Sequence, residues 1–234
     1  MIHLLKKEIM SFYSTPFGFV FMGIFLLLSG LSFVTYNILG GGGDLAGMFS
    51  LLGNLSFMVF PVLTMRLFAE ERRSGTEHLL ISSRLTITQI VIAKYLAAVF
   101  VFLTSLIITF IYVAIIASYG YPDYGAIVAS YLGYFMLGTA MISVCILASS
   151  IAENQVTAAI MSFGILFVLV MLGTLGRSIT TPGISTGISA LAITQRYDEF
   201  TLGVFQLGTV VYYLAYSAVA LLLTVKNLEW RRLR

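Results

Sequence analysis

Charge is scarce in this chain of 234 residues. Charged side chains make up 10% of the sequence and hydrophobic ones 59%, and the mean hydropathy is +0.99. A water-soluble domain typically carries about 25% charged residues, which it needs to cover its surface. The composition therefore excludes a water-soluble domain of this size and indicates an integral membrane protein.

Residues that carry catalytic or metal chemistry are also few. The single cysteine, Cys145, has no partner within the chain, so an intrachain disulfide is excluded. The only histidines, His3 and His78, lie outside the long apolar runs, so these runs cannot hold a Ser–His pair or a histidine metal site. The run Gly40–Gly43 lacks the Gly-Lys-Ser/Thr of a phosphate-binding loop. We expect no catalytic site, no metal and no cofactor on this chain.

What the sequence does contain is a series of six long uncharged runs: Ile9–Gly43, Leu45–Met65, Tyr95–Pro122, Tyr124–Ala152, Asn154–Gly176 and Phe200–Val225. Each exceeds the roughly 20 residues that cross a bilayer as a helix. The runs are continuously apolar rather than alternating, which favours helices over a barrel. We predict an all-α polytopic membrane protein, a single domain over 1–234, with transmembrane helices at about 16–39, 46–68, 87–118, 124–149, 154–176 and 204–226.

The positions of lysine and arginine predict the orientation. Of the thirteen basic residues, eleven lie in or beside the N-terminus, the loop between spans two and three, or the C-terminus. These three regions share one side of a six-span protein, which the positive-inside rule makes cytoplasmic. Both termini are therefore expected in the cytoplasm, and Arg177 and Arg196 on the outer face. The net charge of +3 reflects this bias and not a nucleic-acid surface.

Two further elements are expected to lie along the membrane surfaces. Residues 1–15 place apolar side chains at near-helical spacing beside Lys6 and Lys7, which favours an interfacial helix; a frayed basic terminus is the alternative. Residues 177–203 are too polar to cross the membrane and too apolar to hang free, so we expect a re-entrant or interfacial helical hairpin on the outer face. Early in the third span, Lys94 is expected to extend toward the headgroups.

The densest charge lies between the second and third runs, in Arg66–Leu80. Here Ser74 and Glu77 have the spacing of a capping box, which predicts a short helix that begins near Gly75 and lies within 70–82. A helix this short needs a docking surface. A cytoplasmic partner protein would provide one; a solvated connector is the alternative. Two more pairs have capping-box spacing, namely Thr86 with Gln89 and Ser150 with Glu153.

The segment Pro61–Leu80, followed by Gln89–Leu96, resembles the ABC-2-type transporter permeases, and within them most closely the gliding-motility-associated and nitrous-oxide-accessory branch. Weaker similarity lies at 149–155 and 197–203. In this family the charged segment is a coupling helix that sits in a cleft of the ATPase subunit. The resemblance implies that the ATPase-binding residues are Glu70, Glu71, Arg72, Arg73, Ser74, Gly75, Thr76, Glu77, His78, Leu79 and Leu80. A second cytoplasmic contact is implied at Glu153, Asn154 and Gln155, for which a purely structural cap is an equal alternative.

The resemblance also implies a function. The chain would be the permease subunit of an ATP-binding-cassette exporter in the cytoplasmic membrane, paired with a second permease, identical or homologous, and with two ATPase subunits that carry ATP and Mg²⁺. The alternative is a non-transporting anchor that passes ATPase motion to an envelope partner. An ion-coupled carrier is disfavoured because no acidic residue lies near the middle of a run.

Overall fold

The computed structural model describes residues 2–41, 45–75, 86–119, 123–178, 192–197, 200 and 206–232. All regular secondary structure within these ranges is helical. Six of the helical segments are long and apolar enough to cross a membrane. The prediction of an all-α polytopic membrane protein is therefore confirmed.

The chain begins with a helix that precedes the first span. This helix, α1, covers Ile2–Ser14, and α2 covers Pro16–Phe33 and continues as a π-helix over Val34–Leu39. The remaining helices are α3 Ala46–Thr64, α4 Ala69–Arg73, α5 Ile87–Ile108, α6 Phe110–Tyr119, α7 Tyr124–Ile151, α8 Gln155–Ser178 and α9 Leu207–Arg232. We treat α2 with its π-helical extension, α3, α5 with α6, α7, α8 and α9 as the six spans.

Local chemistry explains several of these boundaries. Thr86 starts α5 through the predicted capping box, in which its hydroxyl accepts from the Gln89 backbone N–H and the Gln89 side chain accepts from the Thr86 N–H. Pro61 lacks the N–H that would bond back to the Phe57 carbonyl, yet α3 continues past it to Thr64, and the Met65 N–H bonds to the Pro61 carbonyl at 2.9 Å. A turn occupies 65–68 between α3 and α4, and the apolar helical stretch that could cross a membrane runs over Ala46–Arg73, which contains the expected span 46–68.

The predicted capping box of Ser150 and Glu153 is wrong. Ser150 is still helical and donates its hydroxyl to the Leu147 carbonyl at 2.7 Å. The cap of α8 is Asn154, whose side-chain oxygen accepts from the Thr157 backbone N–H at 2.8 Å. Helix α7 therefore runs two residues past the expected end, and α8 begins at Gln155.

Helix α7 lies at the centre of the bundle. In its most apolar stretch of 18 residues 78% are buried, against 28–50% for the other spans, and it packs against α3, α5, α8 and α9. Small residues allow this close approach. At Gly138 a β-carbon would lie 2.4 Å from the Phe102 ring, and at Gly133 it would lie 2.4 Å from Phe200.

Aromatic rings from neighbouring spans fill the interior next to α7. The Phe102 ring meets those of Phe60, Tyr134 and Phe25 at centroid distances of 5.1, 5.7 and 6.0 Å, all in edge-on arrangements. Such edge-to-face pairs add about 0.5–1.5 kcal/mol each beyond the burial of their area. The spans α2, α3, α5 and α7 are thus joined through one ring cluster.

The segment before the last span is inserted into this bundle. Most of the expected outer hairpin, 177–203, lies outside the described residues, but 192–197 and 200 are described. Tyr197 and Phe200 are fully buried, and the Ile193 carbonyl accepts a hydrogen bond from the Tyr213 hydroxyl at 2.8 Å. This part of the segment therefore packs against α3, α7 and α9 rather than lying on the surface of the bundle.

Candidate functional site

We call the end of the bundle where α1, α4, the start of α5 and the ends of α7 and α9 meet the charged end. Ion pairs and charged hydrogen bonds join these five elements there. Residues 66–75, the described part of the segment with the densest charge, lie at this end.

Helix α4 has a sequence that suits its short length. Glu70 and Glu71 occupy its first turn and Arg72 and Arg73 its last, so each charge lies near the favourable end of the helix dipole. A serine of α7 fixes the turn that leads into it. The hydroxyl of Ser149 accepts from the Phe68 N–H and donates to the Met65 carbonyl, both at 3.3 Å.

Of the expected helix over 70–82, the structure describes residues 70–75. Ser74 is the C-terminal cap of α4, with its N–H bonded to the Glu70 carbonyl at 2.9 Å. Gly75 has φ +71°, a left-handed conformation that commonly ends a helix. Residues 76–82, where the rest of the predicted helix would lie, are outside the described residues, so the helix that begins near Gly75 stays a prediction. Glu77, the other member of the predicted capping box, lies outside the described residues.

Arg72 joins α4 to the end of α7. Its guanidinium donates to the carbonyls of Ile151 and Ala152 at 3.0 and 3.1 Å and lies 3.7 Å from the Glu153 carboxylate. The last carbonyls of a helix have no partner within the helix, and basic side chains can satisfy them. Residues 70–75, the described part of the predicted ATPase-binding segment 70–80, are therefore tied directly to the second predicted contact at 153–155.

The last helix contributes to the same junction. From α9, Arg231 donates to the Ile151 carbonyl at 3.0 Å. Asn227 donates to the carbonyl and the hydroxyl of Ser150 at 3.2 and 3.1 Å. The end of α7 is thus held from two sides, by α4 and by α9.

A buried lysine lies on the other side of α4. The Lys94 side chain is 1% exposed, and its ammonium lies 3.1 Å from the Glu8 carboxylate and 2.6 Å from that of Glu71. The ring of Phe68 lies 5.3 Å from the ammonium. The expectation that Lys94 extends toward the headgroups is therefore wrong: the ammonium turns inward because two carboxylates, from α1 and α4, meet it there.

Arg66 connects the end of the second span to α1. It donates to the hydroxyls of Ser11 and Thr15 and pairs with Glu70 at 3.2 Å. Its guanidinium also lies 5.1 Å from the Phe17 ring centroid. Between this arginine and Lys94 lies a cavity of about 530 Å³ lined by α1, α4, α5 and the turn before α4.

The structure brings together some of the predicted partner-binding residues. Glu71 and Arg72 face inward and hold neighbouring elements, whereas Arg73, Ser74 and Gly75 are exposed. Glu153 and Asn154 are exposed beside Arg72. The other predicted residues, Thr76, Glu77, His78, Leu79 and Leu80, lie outside the described residues.

Sequence reasoning missed the residues that support this segment: Glu8, Lys94, Ser149, Asn227 and Arg231. One signal was available for Lys94, because a charged residue within an apolar helix is costly and usually has a partner. The sequence does not show which carboxylates pair with Lys94, since they lie 86 and 23 residues away along the chain.

Comparison with known proteins identifies a family for most of the chain. Residues 32–197 match the family described as ABC-2 family transporter protein. The match covers more than half of the chain and includes α4, Lys94 and the junction at Ile151–Gln155. Comparison with curated proteins gives no significant match.

Proposed function

The chain belongs to the ABC-2 transporter family, as a permease subunit, and on this basis we propose that it couples ATP hydrolysis on a separate ATPase subunit to export of a substrate across the cytoplasmic membrane. The observation that carries this proposal is the exposed end of α4. We call its residues, Arg73, Ser74 and Gly75, the tip of α4. Helix α4 has four charged residues in succession, Glu70–Arg73, and it is bonded to α5, to the end of α7 and to Arg66 in the turn before it.

A segment that receives mechanical work must be exposed to its partner and firmly joined to the spans it moves. Arg73, Ser74 and Gly75 meet the first condition because they are exposed. Glu71 and Arg72, which immediately precede the tip, meet the second condition. Glu71 accepts from Lys94 of α5, and Arg72 donates to the Ile151 carbonyl at the end of α7. Displacement of the tip would therefore reach α5 and α7 without an intervening flexible linker.

A second contact for the ATPase is proposed at Glu153, Asn154 and Gln155. The ion pair of Arg72 with Glu153 brings this turn beside α4, so one partner surface could cover both. Asn154 also serves as the cap of α8, which means that its structural role and its proposed contact coexist.

We further propose that a second permease covers one face of spans α3 and α8. Asn54 is exposed at the middle of α3, where its side chain donates to the Ser50 carbonyl at 3.0 Å. An exposed amide in hydrocarbon is costly, so polar residues at this depth face protein or a water-filled path. Met58, Phe163 and Phe167 extend the same face as large exposed apolar side chains, and Phe57 packs between the two phenylalanines.

The ATPase contact can be tested with two glycines in the same backbone conformation. Gly75 at the charged end and Gly41 beyond the π-helix have φ +71° and +66°, and among the described residues no atom lies within 4 Å of where the β-carbon of either would be. Valine at either position is strained by about 1–3 kcal/mol without a steric clash. Since 1.4 kcal/mol corresponds to tenfold in an equilibrium constant, Gly75→Val should lower ATPase co-purification from native membranes by roughly 5- to 100-fold.

Gly41→Val is the matched control and should leave ATPase capture unchanged. Leu79→Asp tests the part of the segment beyond Gly75 and should also reduce capture while membrane insertion is retained. Equal capture by all three variants and the unaltered chain would show that the ATPase does not bind through this segment.

The second-permease proposal has its own test. A cysteine at Asn54 should form a disulfide-linked dimer in native membranes if two copies pair through this face, or a cross-link to a homologous permease if the pair is mixed. Leu27→Cys, which places a cysteine at an exposed site in the middle of span α2, is the control. Equal cross-linking at both positions would show that this face of α3 and α8 is not where the second permease binds.

A further inference from the structure

Three elements that are distant in sequence meet at the ammonium of Lys94. Glu8 comes from α1, Glu71 from α4 and Lys94 itself from α5, with N–O distances of 3.1 and 2.6 Å. Their side chains are 12%, 20% and 1% exposed. We call these three residues the Lys94 triad.

The charges of the triad make its geometry depend on the lysine. Two carboxylates brought close together repel each other, and a charge removed from water needs an opposite charge to compensate for its lost hydration. With the ammonium between them, both carboxylates are attracted to one point. Without it, nothing within the triad holds Glu71 toward Glu8.

Other contacts hold α1 in place independently of the triad. The Tyr13 hydroxyl bonds to the Thr104 hydroxyl of α5 at 2.8 Å. Arg66 donates to Ser11 and Thr15 of α1. Loss of the triad should therefore leave α1 seated on α5 and should loosen mainly α4, which on this side still has the pair of Glu70 with Arg66; the Glu70 side chain is 45% exposed, so this pair contributes little.

We propose that Lys94 is a positioning residue that fixes the ATPase-contacting tip of α4 relative to α1, so that α1, α4 and the start of α5 move as one body. This inference rests on the proposed function, in which the tip of α4 contacts the ATPase. The membrane-surface helix α1 would then move together with the segment that receives work from the ATPase.

The distance between α1 and α4 tests this directly. Lys6 and Arg73 are exposed on the two helices, so cysteines at both positions accept spin labels. The native Cys145 is fully buried, and a sample with this cysteine alone measures its background labelling. Electron–electron distance measurement on the full chain in nanodiscs needs no ATPase. In the protein with the unaltered triad, we expect a single narrow distribution of distances between the two labels.

Three variants separate positioning from simple stability. Lys94→Met should broaden the distance distribution at least twofold. The neutral triple variant, Glu8→Gln with Lys94→Met and Glu71→Gln, keeps the shape without buried charge; it should fold even if Lys94→Met does not, and it should also broaden the distribution. The charge-reversed triple variant, Glu8→Lys with Lys94→Glu and Glu71→Lys, should restore the narrow population.

A narrow distribution in folded Lys94→Met, or in the neutral triple variant if Lys94→Met does not fold, would overturn the inference, as would a broad one in the charge-reversed variant. The proposed function is judged separately, by ATPase co-purification with the unaltered chain. Absence of an ATPase there would refute the function and leave the distance result standing, so the two failures are distinguishable.

Discussion

Truncation of Arg72 should weaken the junction between α4 and the end of α7. Arg72→Ala removes the donor to the Ala152 carbonyl, which belongs to a residue only 2% exposed, and one of the two described donors to the Ile151 carbonyl. Within the described part of the chain Arg231 still serves Ile151, whereas Ala152 loses its side-chain donor. A buried carbonyl left unsatisfied costs about 1–3 kcal/mol.

The partial exposure of Arg72 reduces this figure. Its side chain is 32% exposed, so water replaces part of the lost interaction, and the pair with the exposed Glu153 contributes little. We therefore expect about 1–2 kcal/mol, which in a chain of this length lowers the unfolding midpoint by about 2–8 °C. The midpoint of Arg72→Lys should lie between those of the unaltered protein and Arg72→Ala, because an ammonium lacks the planar fork that reaches two carbonyls at once.

The buried cysteine supplies the assay. Cys145 is the only cysteine and is fully buried, so a thiol-reactive fluorophore reports its exposure as the protein unfolds in detergent on heating. Arg73→Ala is the matched control, since it removes the same charge from the exposed neighbour and should shift the midpoint by less than about 2 °C. Equal midpoints for the two alanine variants would refute the assigned role of Arg72.

Two further predictions use the same assay. Gly138→Ala should lower the midpoint by about 5 °C or more, because its β-carbon would lie 2.4 Å from the Phe102 ring, whereas Gly164→Ala, with nothing within 4 Å, should not lower it. Thr86→Ala removes the cap of α5 and should cost about 0.5–2 kcal/mol, against little change for Thr88→Ala two residues away; similar midpoints for the two threonine variants would contradict the cap.

Features that depend on neighbouring residues were predictable from the sequence. The capping box at Thr86 and Gln89 involves residues three positions apart, and the six apolar spans follow from hydropathy alone. The failure at Ser150 has a tertiary cause. Helix α7 continues through this residue because Arg72, Arg231 and Asn227 satisfy its last carbonyls, and none of these donors is near in sequence.

The candidate site was predictable only in outline. The density of charge between spans two and three located the segment, but its internal arrangement depends on pairings across the bundle. Ser74 illustrates this: its spacing from Glu77 suggests a helix start, whereas the left-handed Gly75 makes it a helix end. The inward course of Lys94 likewise depends on two carboxylates on other helices.

The central claim is that the tip of α4 touches an ATP-binding subunit, and site-specific photo-cross-linking from Arg73 in native cells tests it most directly. We expect an adduct between the chain labelled at Arg73 and an ATPase, and none from a label at the exposed Val128 near the other end of the bundle. A label at Arg73 that captured no ATPase, while one at Val128 did, would contradict it.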